Sequence, residues 1–309
     1  MPAETNHRRE VTAHRVRPAA DKDSPPTART IAVLEYLASV QDGSATPAEI
    51  VQRVGITRST CRAILTALER SGYVTRDAEQ RSYRIGPGSV ALGRAARERD
   101  PLLRVVAGVF QQLNEELGVG CSLTARAGDQ LLVVERIGAP NQFADAQHSG
   151  VRLPYAAPFG GPFAAFGDPA EIEGWLDRSG ATVEERDGMR SMLDTIRRDG
   201  CFVQPISAGG QLGLMSVIDD IVRTGHLSTE KAHHAALLAH LVSGATPAAR
   251  AAQTYPASTI SFPIMGANGT PALAAVLQVV RDGLDPAGLD ALGQRVKALM
   301  RSASAVVFE

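Results

Sequence analysis

Thr46-Pro47-Ala48-Glu49-Ile50-Val51-Gln52-Arg53-Val54-Gly55-Ile56-Thr57-Arg58-Ser59-Thr60-Cys61-Arg62-Ala63-Ile64-Leu65 holds two helix starts and one helix stop. Thr46 offers an N-cap hydroxyl, Pro47 suits the first helical position, and Glu49 stands three residues after the cap, as in a capping box. Ala48, Val51 and Val54 form the apolar stripe of this short helix, and Gly55 ends it after about two turns. Thr57 caps a second helix from Arg58 to Arg70, with Ile64, Leu65 and Leu68 inward and Gly72 terminating it. A short helix, a tight turn and a longer helix make a helix-turn-helix, whose second helix can enter the major groove while the first crosses the backbone.

Upstream, Ile31, Leu34, Leu37 and Ala38 recur at helical spacing from Thr27 until Asp42-Gly43. Before that, residues 1–26 mix charge, Pro and Ala without periodicity and read as a disordered arm. Downstream, Tyr73-Val74-Thr75-Arg76 and Ser82-Tyr83-Arg84-Ile85 read as strands around a polar turn, which adds a wing. The DNA-binding domain so defined spans residues 27–86. Gly86-Pro87-Gly88 breaks the chain before a linker helix (residues 87–100) carrying Val90, Leu92 and Ala95, and Pro101 opens a further helix.

A chain of 309 residues with 44% hydrophobic and 21% charged residues suggests two ordinary globular domains. Charge divides along it: residues 1–99 carry 16 Lys+Arg against 11 Asp+Glu, the remainder 16 against 22. A basic first third on an acidic body suits a polyanion partner for that third alone. The groove-facing candidates are Thr57, Arg58, Ser59, Thr60, Arg62 and Ala63, because Arg reads guanine edges and Ser or Thr bonds bases or phosphates. Arg29, Thr46, Arg76, Arg81, Arg84 and Tyr83 join them as candidates around the first helix, the second cap and the wing. A helical hairpin domain serving protein contacts is the competing reading.

From Cys121 the pattern changes to a hairpin, Ser122–Ala125 and Gln130–Glu135 around Ala127-Gly128-Asp129, with later strands at Ser258–Ile264 and Ala272–Val279. Helices between these pairs predict an α/β sandwich with an antiparallel sheet, making the whole α+β. Cys61, Cys121 and Cys201 lack metal-ligand spacing and read as reduced thiols. His226, His233 and His240 lie seven residues apart, about 10 Å along a helix, too far to share a metal; no metal site and no cofactor is expected. No run of ~18 apolar residues exists, and the first residues lack a secretory apolar core, so a cytoplasmic protein is expected. Against an enzyme, no nucleophile elbow, phosphate loop or HExxH run appears, and the pairs Glu184-Glu185 and Asp219-Asp220 would diverge on a helix. A hydrolase hidden in the second domain is the remaining enzymatic alternative.

Ala28–Val40, Thr46–Gly55, Thr57–Tyr73 and Tyr83–Leu92 resemble the DNA-binding half of the IclR family of bacterial regulators. Gly55–Leu65 resembles its recognition helix, and Tyr83, Ile85-Gly86 and Leu92-Gly93 match its wing end and linker. The family often places an Arg where this chain has Ala63, with Arg62 beside it, so base preference does not transfer. Gln130–Arg136, Gly150–Pro154, Met189–Gly200, Ser258–Ile264 and Ala272–Val279 are similar to the family's GAF-like effector domain, here residues 101–305. Residues 207–253 have no counterpart and read as a helical insertion.

The resemblance implies operator DNA and a small-molecule effector as partners, in a homodimer or dimer of dimers, without a membrane. The loop Tyr155–Phe163 is less polar than the family's, and Thr259 and Leu277 stand where relatives carry Cys and Ser. A larger or more hydrophobic effector than is usual in the family is expected, lined by Tyr155, Ala157, Phe159, Gly160, Phe202, Thr259 and Ser261. An effector domain that only oligomerises is the alternative. The breaks at Gly86-Pro87-Gly88 and Asp100-Pro101 are expected to hinge, so that effector binding changes DNA affinity.

Overall fold

The computed structural model describes residues 24–40, 43–138, 150–206, 217, 255–284 and 286–308. The expected insertion at 207–253 and its histidines therefore lie, apart from Val217, outside the described residues. The chain divides into two compact units, Met1–Ala96 and Arg97–Glu309.

In the first unit, α1 (Pro25–Ser39), α2 (Pro47–Val54) and α3 (Arg58–Arg70) precede a hairpin of β1 (Val74–Asp77) and β2 (Ser82–Ile85), followed by α4 (Pro87–Arg99). α1 starts at Pro25, two residues before the expected limit of the arm, because Pro25 and Pro26 occupy its first turn, where no N–H is needed. The capping box forms as read: the Glu49 carboxylate accepts from Thr46 N at 2.7 Å, and Thr46 Oγ1 accepts from Glu49 N. Gly55 sits at φ 73°, donating to Val51 O, and Thr57 caps α3 by accepting from Thr60 N at 3.2 Å.

The inward faces of α1 and α2 differ from the sequence reading. Ala32, Val33 and Leu37 are buried on α1 while Ile31 and Ala38 are exposed; Ile50 and Val54 are buried on α2 while Ala48 is exposed. Both helices are apolar on two stripes, and the bundle buries the one carrying Val33–Leu37 and Ile50–Val54, each pair one turn apart. Cys61, Leu65, Leu68 and Val74 complete this core.

Gly86-Pro87-Gly88 is a clamp, which corrects its reading as a hinge. Gly86 N donates to Tyr73 O at 2.8 Å and Gly88 N to Gly72 O at 2.9 Å, and a Cβ on Gly86 would stand 2.5 Å from Gly72 O. The first turn of α4 is thus bonded to the end of α3. The rest of α4 buries no residue: Val90 is 70% and Leu92 62% exposed.

The division falls within the last turn of α4, and the first full helix of the second unit is α5 (Pro101–Leu117), whose Asp100 cap accepts from Leu103 N at 3.0 Å. It builds one antiparallel sheet in the order β5-β4-β3-β8-β7-β6, from β3 (Gly120–Ala127), β4 (Gln130–Ile137), β5 (Arg152–Pro154), β6 (Phe202–Ile206), β7 (Tyr255–Met265) and β8 (Pro271–Leu284). Alternation sends Leu123, Val203, Ile260, Phe262, Leu277 and Val279 to one face, against Val106, Phe110 and Leu113 of α5 and Val296 of α9 (Pro286–Phe308). The other face meets α6 (Gly161–Ala164), α7 (Pro169–Asp177) and α8 (Val183–Asp199) through Leu131, Val133, Phe163, Trp175, Leu193 and Ile196.

Candidate functional site

Two surfaces carry the sequence candidates, one in each unit. In the first unit the exposed side of α3 presents Arg58, Ser59, Arg62, Ala63, Thr66, Ala67 and Arg70. Ser59, Arg62, Ala63, Thr66, Ala67 and Arg70 line one shallow concavity of about 470 Å³. Thr66, Ala67 and Arg70 were missed in the sequence, although their spacing of three, four and seven from Ala63 continues the same helical line. Arg58 and Arg62 are exposed at the start of α3, whose first turn contains no acid. Helix N-terminal N–H groups and cations there favour an anion.

The caps are committed to the protein itself. Thr57 Oγ1 lies 3.0 Å from Ser59 Oγ and 2.9 Å from Thr60 Oγ1, and Thr46 Oγ1 donates to Glu49 at 2.8 Å. Tyr83 is half-buried against the core, and its N–H and C=O pair with Ala45, so it holds the wing in place. Arg76, Arg81 and Arg84 are exposed around the β1–β2 turn, and Arg29 is exposed on α1. Arg81 adopts φ 52°, and Asp77 Oδ1 closes the turn by accepting from Glu79 N and Gln80 N.

In the second unit, the loop expected to line an effector pocket is fastened to the protein. Tyr155 is fully buried; Arg126 lies 4.1 Å over its ring, and its hydroxyl donates to Glu171 Oε1 at 3.0 Å. Arg126 pairs with the same carboxylate, and Arg178 Nε donates to Tyr155 O at 2.7 Å. Burial, then the Glu171 charge, push the Tyr155 hydroxyl well above its ordinary pKa, so it stays a neutral donor. Ala157 is buried, Trp175 Nε1 donates to Phe159 O at 2.7 Å, and a Cβ at Gly160 (φ 79°) would meet the Tyr155 ring at 2.7 Å. Tyr155 and Ala157 are buried, Phe159 and Gly160 are half-buried, and the Tyr155 hydroxyl is bonded to Glu171.

Phe202, Thr259 and Ser261 come together on the sheet face toward α6 and α8, where Phe202 belongs to the same core cluster as Tyr155 and Ala157. Phe202 pairs with Ser261 and Gln204 with Thr259 between β6 and β7; Ser261 pairs with Val276 and Thr259 with Gln278 between β7 and β8. Leu277 is on the opposite face, in the α5 core, so the β8 residues flanking it, Val276 and Gln278, are the ones beside Thr259 and Ser261. Gln278 Nε2 donates to Ser122 Oγ at 3.1 Å, and Ser122 pairs with Arg136 on β4. Gln204 is 5% exposed, and its Nε2 meets no acceptor. Both glutamines were missed by sequence reading; each is a lone amide inside an apolar run, Phe202–Ile206 or Ala272–Val280, which was the available signal. Among the described residues no cluster of His, Cys, Asp or Glu could hold a metal ion, and no helix is long and apolar enough to cross a membrane.

Residues 26–78 match the family described as "IclR helix-turn-helix domain", and residues 95–205 that described as "Bacterial transcriptional regulator IclR C-terminal". HTH-type transcriptional regulator TtgV of Pseudomonas putida is 31% identical over 131 residues, 42% of this chain and 49% of the relative. Transcriptional repressor IclR of Escherichia coli is 24% identical over 179 residues, 55% of this chain and 65% of the relative. The matches thus span about half of the first relative and under two thirds of the second. The crystal structure of an IclR transcriptional regulator from Alicyclobacillus acidocaldarius has the same fold, with a TM-score of 0.66 at 19% identity, covering 93% of this chain and 98% of the other.

Proposed function

This chain belongs to the IclR family of bacterial transcriptional regulators, and on that premise we propose that it is a sequence-specific DNA-binding regulator controlled by a small-molecule effector. The carrying observation is the exposed face of α3, where Arg58, Ser59, Arg62, Thr66 and Arg70 stand outward while Cys61, Leu65 and Leu68 hold the helix to the core. A helix of 13 residues is about 20 Å long, enough to lie along the major groove. Arg58 and Arg62 read base edges; Arg76, Arg81 and Arg84 of the wing, with Arg29, meet phosphate.

One winged helix reads only a few base pairs, so symmetric half-sites bound by a homodimer, or by a dimer of dimers, supply the specificity. Val90 and Leu92, exposed on a helix that buries nothing of its own, support α4 as part of that contact, and the exposed Ile31 supports α1 as a second part. The effector acts on the sheet face of Phe202, Thr259 and Ser261, and its role is regulatory, not catalytic, in the cytoplasm where the operator lies.

Selection of bound fragments from the source genome tests the reading. A shared, two-fold-symmetric sequence whose affinity falls steeply with salt is expected. Equal affinity for every duplex, or none for any, would overturn it.

A further inference from the structure

The polar row on the second unit's sheet face has a chemical preference that the sequence did not reveal. Three adjacent strands bring Gln204, Thr259 and Gln278 into register, with Phe202 and Ser261 in the next row on the same side. Gln204 is buried and its Nε2 lacks an acceptor. A buried N–H without a partner destabilises a fold, so its retention fits a donor kept for something that binds.

Charge on the face narrows what that is. Its described cations, Arg126 and Arg136, are on β3 and β4, three and four strand spacings from β6, or about 14 and 19 Å across the sheet. Arg126 is already paired with Glu171. The arginines of α8, which packs along β6, are each paired with an acid: Arg186 with Asp177, Arg190 with Glu173, Arg197 with Asp194 and Arg198 with Asp199. A carboxylate buried beside Gln204 would therefore lack a countercharge among the described residues, whereas a neutral carbonyl needs only the amide donor. An ammonium would carry its charge into the same buried row, a desolvation cost that a neutral carbonyl does not meet.

We propose that the β6–β7–β8 end of this face binds a neutral carbonyl compound (an amide, lactam, ketone or ester), whose oxygen accepts from Gln204 Nε2 and whose apolar body lies on Phe202. The hydroxyls of Thr259 and Ser261 flank the same end. This rests on the reading of the second unit as an effector domain and supplies the class of effector.

The test uses the full chain and four probes of similar shape: benzamide, methyl benzoate, benzoate and benzylamine, by thermal melting and calorimetry. Benzamide and methyl benzoate are expected to raise the melting temperature, with benzoate about tenfold weaker and benzylamine without effect. Gln204→Leu is expected to melt at or above the wild-type temperature without ligand, since it removes an orphan donor, and to lose about tenfold in benzamide affinity, one hydrogen bond's worth. Benzoate binding more tightly than benzamide, benzamide binding unchanged in the variant, no shift with either neutral carbonyl probe, or a variant that melts lower than wild type would each overturn it. DNA affinity measured alongside separates the two readings. If benzoate binds and alters DNA affinity, effector control stands and the neutral-carbonyl class falls. If benzamide binds but no duplex does, this inference stands and the regulator reading falls.

Discussion

Arg62 stands on the exposed face of α3 and Arg81 at the wing turn, and that difference in place predicts different mutant behaviour. Ala at Arg58 or Arg62 should remove sequence discrimination at a cost of ~1–3 kcal/mol each. Ala at Arg81 should weaken all duplexes alike and lower the salt slope by about one. Binding isotherms at several salt concentrations separate the two, and an equal loss on specific and random DNA for Arg62→Ala would refute the assigned reading face. Glu49 sets a second residue-scale expectation. Its bonds from the Thr46 backbone N–H and hydroxyl hold its carboxyl below the ordinary value of 4.5. A lowered folded-state pKa means that the carboxylate adds stability above about pH 4.5 and loses that contribution as pH falls through the folded value. Because Glu49 is exposed, the effect is small. Melting temperatures below pH 4.5 should therefore fall less steeply in Glu49→Gln than in wild type, and parallel curves would sink the assignment. Both caps were legible because capping is a local geometry, set within four residues.

Among elements, α4 carries the sharpest contrast. Its first turn is bonded to Gly72 and Tyr73, and Gly86→Ala would drive a methyl against the Gly72 carbonyl. That overpacking should cost ~1–3 kcal/mol in the first unit's stability. Gly93→Ala on the same helix has nothing within 4 Å and should stabilise it by ~0.5–1 kcal/mol. Denaturant melts of the two variants check the pair; equal effects would refute the clamp. Gly-Pro-Gly in isolation suggests a hinge, since glycine and proline mark breaks. Nothing within those three residues tells that the glycines are small because the backbone at Gly72 and Tyr73 approaches them. The faces of α1 and α2 failed for a related reason: each is apolar on two sides, and a pattern within one helix cannot say which side its neighbours cover.

For the whole molecule, the exposed Val90 and Leu92 predict self-association. A Val90→Lys, Leu92→Lys double variant should sediment as a smaller species than wild type and lose operator affinity while its circular dichroism stays that of wild type, because neither side chain is buried in the single chain. A wild-type protein that is strictly monomeric, alone and on DNA, would end that proposal. Effector control adds a thermodynamic requirement. If a ligand changes operator affinity by some factor, operator must change ligand affinity by the same factor, with a coupling of ~1–3 kcal/mol sufficient for a useful switch. Calorimetry with and without operator measures it, and equal ligand affinities would exclude allosteric control even with the DNA interface intact.

By itself the sequence determined the element order of the first unit, both helix caps, the wing and the strands β3, β4, β7 and β8, because caps, turns and alternation are written within a few consecutive residues. Only tertiary structure decided which residues share a site. Gln204, Thr259 and Gln278 are 55 and 19 residues apart in the chain, yet sit side by side through the register of β6, β7 and β8. The same register sent Leu277 to the α5 core and brought its neighbour Gln278 beside Thr259, since one step along a strand reverses the face. The composition of the Tyr155 loop suggests a pocket wall; only the fold shows which of its polar groups are already bonded, to Glu171, Trp175 and Arg178. Composition records which groups are available; the packing of distant segments decides which of them remain unspent.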